Sequence, residues 1–339
     1  NSREGYKAGA LSYGLHKTGA EYVAIFDADF FPDSDFLKQP LPYLLQDNIG
    51  MVQTRWGHAN RNYSLLTRLQ AIFLDAHFNI EHLARNRTGR FFNFYGTAGI
   101  WRRKAIEDAG GWQHDTLTED LDLSYRAQLA GWKFIYLPHV VSMAELPVEM
   151  NAYKNQQHRW AKGSVQTAIK LSRKILNSDF PGYVKLEGII HLSNNLAYLL
   201  MIIPAALLIP MLNYQISLNW DWLVGVYFIT FIASTLSVII YYAVSIRDMQ
   251  GTIWPEAVYL GPLMALGIAL SLNNGRAAIE ALTGLKSEFK RTPKYQIVGH
   301  RGNWKSKLYR SKSQYQHLIE LLTALYFVYG SFYYLSNGF

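Results

Sequence analysis

Three short groups of residues in this sequence have types and spacings that can do chemistry. The first is Asp27-Ala28-Asp29, which ends the apolar run Tyr22-Val23-Ala24-Ile25-Phe26. Two carboxylates one residue apart at a strand end can hold Mg2+ or Mn2+ against a diphosphate. Hard oxygen ligands suit those ions, and water and phosphate oxygens complete their coordination. Taken alone the pair is equally compatible with a solvated turn, since Phe30-Phe31-Pro32-Asp33 follows it. The second group is Thr118-Glu119-Asp120, ahead of the helical-looking LDLSYRAQLAG. A polar residue there can cap a helix, and a carboxylate can also act as a general base toward a hydroxyl. The third is Gln156-Gln157-His158-Arg159-Trp160. An Arg can grip a pyrophosphate with two parallel hydrogen bonds, and a Trp offers a flat face to a sugar ring. The same segment would also serve as a helix lying on a membrane surface.

The elements that must position these groups fall into two halves. Up to about residue 150 the chain reads as alternating strands and helices. Tyr22–Phe26 resembles a buried parallel strand, Ser64–Leu83 carries apolar residues at mostly helical spacing, and Trp132–Leu137 reads as another strand. Such alternation implies an α/β sheet covered by helices, with ligands at the carboxyl ends of the strands, where Asp27 stands. The composition then changes. Uncharged apolar runs at 192–212 and 222–244 and an aromatic-rich one at 316–336 have the length and character of membrane crossings. The stretch 258–272 is short and broken by Gly261-Pro262 and Gly267.

Charge sets the expected topology. The 339 residues carry a net charge of +8, with a mean hydropathy of −0.04. Ten of the Lys and Arg lie between Asn273 and Ser313, whereas Asn213–Asp221 has none. By the positive-inside rule the basic stretch is cytoplasmic, which makes 258–272 interfacial or re-entrant and places the first half in the cytoplasm. Charge concentrated beside a membrane argues for membrane lipids as partners and against nucleic acid. The expected divisions are 1–175 for the α/β domain, 176–272 for interfacial and crossing helices, 273–315 for a basic cytosolic loop and 316–336 for a last crossing. The absence of cysteine excludes disulfides and thiolate metal sites. No P-loop or dinucleotide-binding glycine pattern is present.

The order D-x-D, T-E-D, Q-x-x-R-W, followed by membrane helices, resembles the processive family 2 glycosyltransferases, which include cellulose, chitin, hyaluronan and mannan synthases. The segments Gly5-Tyr6-Lys7-Ala8-Gly9-Ala10-Leu11, Val52-Gln53-Thr54-Arg55-Trp56, Gly96-Thr97-Ala98-Gly99-Ile100-Trp101-Arg102 and Ala109-Gly110-Gly111-Trp112 look like the plant cellulose synthase-like A and C groups and their bacterial relatives. The resemblance implies a GT-A (Rossmann-like) fold, incomplete at its N-terminus in a chain read as a fragment cut at both ends. It implies transfer of mannose or glucose from GDP-mannose, UDP-glucose or GDP-glucose to a β-linked polysaccharide, with inversion. The alternative is a non-processive transferase that adds a sugar to a lipid or lipid-linked acceptor. The host membrane would be a bacterial inner or plasma membrane, or the Golgi in a plant.

Roles follow from the resemblance position by position. Asp27 and Asp29 would bind the metal and the donor diphosphate, with Asp29 the direct ligand. Asp120 would be the catalytic base, and Lys7 would lie near the nucleotide. Arg159 would hold the pyrophosphate, while Glu119, Gln156 and Trp160 would hold the acceptor. Gly96 to Gly99 would turn tightly near that acceptor. Phe289-Lys290-Arg291-Thr292-Pro293-Lys294 resembles the F-x-V-T-x-K gating loop of cellulose synthases, although Arg291 stands where that family has Val and Pro293 precedes the Lys. Thr292 and Lys294 could still meet a diphosphate. His77 and His82, five residues apart, lack the i, i+4 spacing of a helical zinc pair and read as structural or interfacial. Glu320 reads as a helix-end residue, and the sequons at Asn62 and Asn86 read as unmodified.

Overall fold

The computed structural model describes residues 4–220, 222–286, 291–302, 304 and 316–336. Phe289 and Lys290, and most of the basic stretch from 303 to 315, lie outside the described residues. A mixed sheet organises the first half, with strands β1 (Tyr22–Ile25), β2 (Phe30–Phe31), β3 (Ile49–His58), β4 (Gly99–Arg102) and β5 (Lys133–Ala144). Their order in space is β1-β4-β3-β5-β2. Only β3 and β5 run parallel. β1 pairs antiparallel with β4, contrary to the expected parallel strand, because a short apolar run encodes burial but not direction.

Alternation along the strands builds a core on each face. Met51 and Trp101, paired across β3 and β4, enter a cluster with Phe78, Phe94 and Phe134. The neighbouring pair Val52 and Ile100 enters the opposite cluster with Leu44, Leu137 and Val140. The β3–β5 register jumps between Thr54 and Arg55, where Pro138 cannot donate to the ladder. Arg55 Nε donates to the Pro138 carbonyl at 2.9 Å across that irregularity.

Two helical regions bring the remaining motifs to the sheet. Leu65–Ala76 starts at Ser64 through a reciprocal capping box with Thr67. It continues through a π-turn at His77–His82 into Leu83–Arg87. Met150–Leu176 carries Gln156, Arg159 and Trp160; their i, i+3, i+4 spacing sets them on one helix face. The same helix passes close to Glu119–Leu129 at Gly163, where a Cβ would lie 2.5 Å from Thr118 Oγ1.

Among the described residues four helical stretches are long and apolar enough to cross a membrane: Leu196–Ser217, Trp222–Gln250, Trp254–Leu282 and His317–Ser336. Leu196–Ser217 contains Pro204 and Pro210. Pro210 supplies no N–H for the Ala206 carbonyl one turn back, and Tyr326 Oη donates to that carbonyl at 2.7 Å. Such repair from a neighbouring helix is what an apolar surrounding demands. The Trp254–Leu282 stretch is three consecutive helices, Trp254–Ala257, Leu260–Ala269 and Ser271–Leu282. Leu263, Leu266 and Leu270 pack on Leu69 and Ile72 of the α/β half. An ionic junction reinforces this contact: buried Glu256 accepts from Arg61 at 3.0 Å and from Arg68 at 2.9 Å. Arg61 also pairs with Asp75, which bonds His58 at 3.0 Å.

Gly163 offers a test of the close helix approach. Gly163→Ala should destabilise the folded protein by roughly 1–3 kcal/mol through overpacking. Gly182→Ala, where a Cβ meets nothing within 4 Å, should not. Thermal melting of the two variants in detergent checks this, and equal melting temperatures would refute the tight contact.

Candidate active site

The loop at Tyr95–Ala98 is where residues distant in sequence meet. Lys7, from the helix Tyr6–Lys17, donates from Nζ to Asp27 Oδ1 at 2.6 Å and to the Gly96 carbonyl at 2.9 Å. The Asp27 N–H donates to Thr97 Oγ1 at 2.9 Å. Gly96 has φ +79°, a left-handed conformation that Gly adopts without steric cost. A Cβ there would lie 2.8 Å from Asp120 Oδ2 and 3.2 Å from Lys7 Nζ. The bare Cα therefore lets a cation and a carboxylate both enter the space a side chain would fill. Fully buried Gln53 secures the loop from β3. Its Nε2 donates to the Thr54, Thr97 and Ala98 carbonyls, and its Oε1 accepts the Tyr95 N–H at 3.1 Å.

Glu119 and Asp120 open the helix Glu119–Leu129, and Thr118 makes no side-chain cap. Asp120 instead takes the Leu121 N–H on Oδ1 at 2.8 Å. Arg159 is enclosed nearby. Burial opposes its charge, and the carboxylates of Glu119, Asp120 and Asp27 support it. Trp160, on the same helix face, packs against the main core and sits 6.5 Å from the Trp56 ring. Gln156 is half-buried one turn earlier.

Asp29 lies on a second contact. Lys294 reaches its Oδ2 at 2.8 Å and also donates to the Glu145 carbonyl. The Glu145 carboxylate accepts the backbone N–H groups of Tyr295 and Gln296, each at 2.9 Å. Thr292 Oγ1, two residues from Lys294, is buried without a hydrogen-bond partner. Among the described residues no three His, Asp or Glu gather as a complete metal cage. Asp27 and Asp29, each balanced by a lysine, are the donor set that suits a Mg2+ or Mn2+ ion completed by phosphate oxygens. Thr292 and Lys294 have the hydrogen-bonding capacity to meet the same phosphates.

Comparison with known proteins decides the family. The description "Glycosyl transferase family group 2" matches residues 22–270. This chain belongs to that family. It is 48% identical over 179 residues to glucomannan 4-beta-mannosyltransferase 1 of Cyamopsis tetragonoloba, covering 52% of this chain and 34% of that one. It is 41% identical over 225 residues to glucomannan 4-beta-mannosyltransferase 9 of Arabidopsis thaliana, covering 62% and 42%. The family 2 chain thus spans less than half the length of either relative. Among solved structures, mannosyltransferase PcManGT from Pyrobaculum calidifontis, in complex with GDP-Man and Mn2+, matches with a TM-score of 0.48 and 19% identity, over 82% of this chain and 67% of that one. S. aureus TarS 1-349 in complex with UDP-GlcNAc matches with a TM-score of 0.38 and 11% identity, over 86% and 74%. The family 2 match and the mixed sheet give the first half a GT-A-type α/β fold, and apolar helices follow it.

Within this family 2 domain, Lys7, Asp27, Glu119, Asp120 and Arg159 form one charged recess, with Trp160 on the helix face that carries Arg159. Asp29, Thr292 and Lys294 belong to the adjoining contact. The side chains of Gln53 and Thr97 carry no local signal of the hydrogen bonds by which they hold the Gly96 loop. Glu145 likewise carries none, because its partners lie about 150 residues away. Burial, and then the charge of Asp120, pushes the Glu119 carboxyl up to about 7. Burial also raises Asp120, against the opposing pull of Lys7. Between Glu119's ordinary 4.5 and about 7, the folded state binds more protons than the unfolded one, so stability falls as pH rises through that window. Glu119→Gln should therefore raise the melting temperature at pH 8 and confer little of that gain at pH 5. An equal gain at both values would contradict the burial-driven shift.

Proposed function

We propose that the full-length protein is a processive, inverting hexosyltransferase that extends a β-linked polysaccharide from a nucleotide sugar. The observation that carries this reading is the convergence of Asp120 Oδ2 and Lys7 on Gly96. Asp27 on Lys7 and Arg159 beside the carboxylates complete the recess. A base and a cationic cradle for a leaving diphosphate stand together.

In the reaction, Asp120 takes the proton of an acceptor hydroxyl as that oxygen attacks the anomeric carbon. The bond from that carbon to the donor phosphate breaks, and the nucleoside diphosphate leaves with the electron pair. Burial of Asp120 raises its affinity for a proton, which suits a general base. Arg159 and Lys7 supply fixed positive charge where negative charge develops. Thr292 and Lys294 would add to the grip on the diphosphate. A Mg2+ or Mn2+ ion held by Asp29 and Asp27 would neutralise charge on the same phosphates. Glu119, Gln156 and Trp160 would hold the acceptor, with the Trp160 ring as its stacking surface.

The names of the plant relatives favour mannose as the transferred sugar and GDP-mannose as its donor. We assign residues 1–175 to the catalytic domain, 176–272 and 316–336 to membrane-associated helices, and 273–315 to a cytosolic basic segment whose first ten residues belong to the helix Ser271–Leu282. The α/β domain would face the cytoplasm. The seating of Leu263 and Leu266 on that domain favours an interfacial 258–272, and the product would pass between the crossing helices.

Full-length protein in membrane vesicles, supplied separately with labelled GDP-mannose, UDP-glucose and GDP-glucose plus a divalent cation, tests the reading. A long, enzyme-digestible polymer from one donor is expected. Asp120→Asn should lower synthesis at least roughly 100-fold with donor binding nearly intact. A single-sugar lipid product, or normal synthesis by the variant, would overturn processivity or the assigned base respectively.

A further inference from the structure

The π-turn at His77–His82 changes which side chains face each other. In an α-helix, residues five apart point about 140° away from one another, whereas an i→i+5 turn brings them to nearly the same side. The two imidazoles lie 6.3 Å apart between ring centres, and both bond the hydroxyl of Tyr95. His82 Nδ1 lies 3.0 Å from it, and His77 Nε2 contacts it from the other side.

The partners form one chain of hydrogen bonds from Glu81 to His82. His77 Nδ1 lies 2.8 Å from the Glu81 carboxylate, which can only accept, so that nitrogen carries the hydrogen. His77 Nε2 and His82 Nδ1 thus share the one Tyr95 hydroxyl, which can donate to one ring and accept from the other. His82 Nε2 is buried without a hydrogen bond. Burial keeps His82 neutral, far below the ordinary imidazole range.

The other end of Tyr95 is the active-site loop. Its N–H is held by Gln53, and its ring packs edge-on against Trp56 at 5.7 Å and Phe78 at 5.0 Å. The next residue is Gly96, whose carbonyl receives Lys7 and whose Cα lies against Asp120. We propose that His77 and His82, brought to one side of their helix by the π-turn, act through the Tyr95 hydroxyl as positioning residues that hold the Gly96 loop against Lys7 and Asp120. None of the three touches the reacting atoms. This inference rests on the proposed sugar transfer for its kinetic consequence but not for its structural one.

The test compares full-length wild type with Tyr95→Phe, His77→Ala and His77→Gln, assayed with GDP-mannose in vesicles. Tyr95→Phe keeps the ring and removes only the hydroxyl. It should lower kcat roughly 10- to 100-fold with the donor KM unchanged within about twofold, as expected for lost alignment rather than lost binding. His77→Gln, whose amide retains a hydrogen-bonding group near the place of Nε2, should recover most of what His77→Ala loses. Wild-type kcat in Tyr95→Phe, a rise in donor KM matching the fall in kcat, or identical behaviour of the two His77 variants overturns the proposal. If Tyr95→Phe fails to fold, the His77 pair decides. Hydrogen exchange over residues 93–98 of Tyr95→Phe, or of His77→Ala if that variant alone folds, is read in parallel and needs no turnover. Faster exchange confined to that segment is expected. Wild-type protection there overturns the positioning role even if no donor is turned over, an outcome that would by itself count against sugar transfer.

Discussion

A missing side chain at Gly96 is the constraint on which the rest of the site depends. Lys7 from the first helix and Asp120 from the helix Glu119–Leu129 both approach the space that a Gly96 side chain would occupy. Any Cβ there would push one of them away, and the left-handed φ would strain any residue that carried one. What surrounds the glycine is correspondingly over-determined. Gln53 anchors three carbonyls and one N–H, and Thr97 ties the loop to the strand end at Asp27. A flexible backbone residue is thus fixed by rigid neighbours, which is how a site on a loop gains the precision of one on a strand.

The same logic governs how the α/β half meets the apolar helices. The contact surface is mostly leucine and isoleucine, which has little directional preference. Ion pairs set its register: Glu256 between Arg61 and Arg68, and Lys162 against Glu280 at 3.0 Å. Buried pairs of this kind add little net stability, because desolvation offsets their attraction, but breaking one partner is costly. Their contribution here is alignment. Asp75 shows the balance: burial works against its charge, yet His58 and Arg61 hold it below the usual carboxylate range.

Features written locally in the sequence were the legible ones. Asp27 does stand just past a strand, Q-x-x-R-W does present one helix face, and the apolar runs do form long helices. Motif order was enough to identify the family. What stayed hidden depends on partners far along the chain. The antiparallel pairing of β1 with β4 has no signature in four apolar residues. Glu145 gives no hint that it clasps the backbone near residue 295. His77 and His82 were judged by α-helical spacing, and one irregular turn changed the geometry on which that judgement rested. Asn86 reads as a sequon but stitches its helix to β5, donating to the Phe134 carbonyl at 2.9 Å.

Lys154, six residues before Trp160 on the same helix, holds both carboxylate oxygens of Glu320 at 2.6 and 2.7 Å. Glu320 belongs to the last apolar helix, whose 21 residues span about 31 Å at the α-helical rise, close to the thickness of a bilayer's hydrocarbon layer. A helix matched to a membrane tilts when the lipid becomes thicker or thinner. Through one ion pair, that tilt reaches the helix carrying Gln156, Arg159 and Trp160. With the last apolar helix in a bilayer, membrane thickness would act mechanically on the helix that carries Trp160.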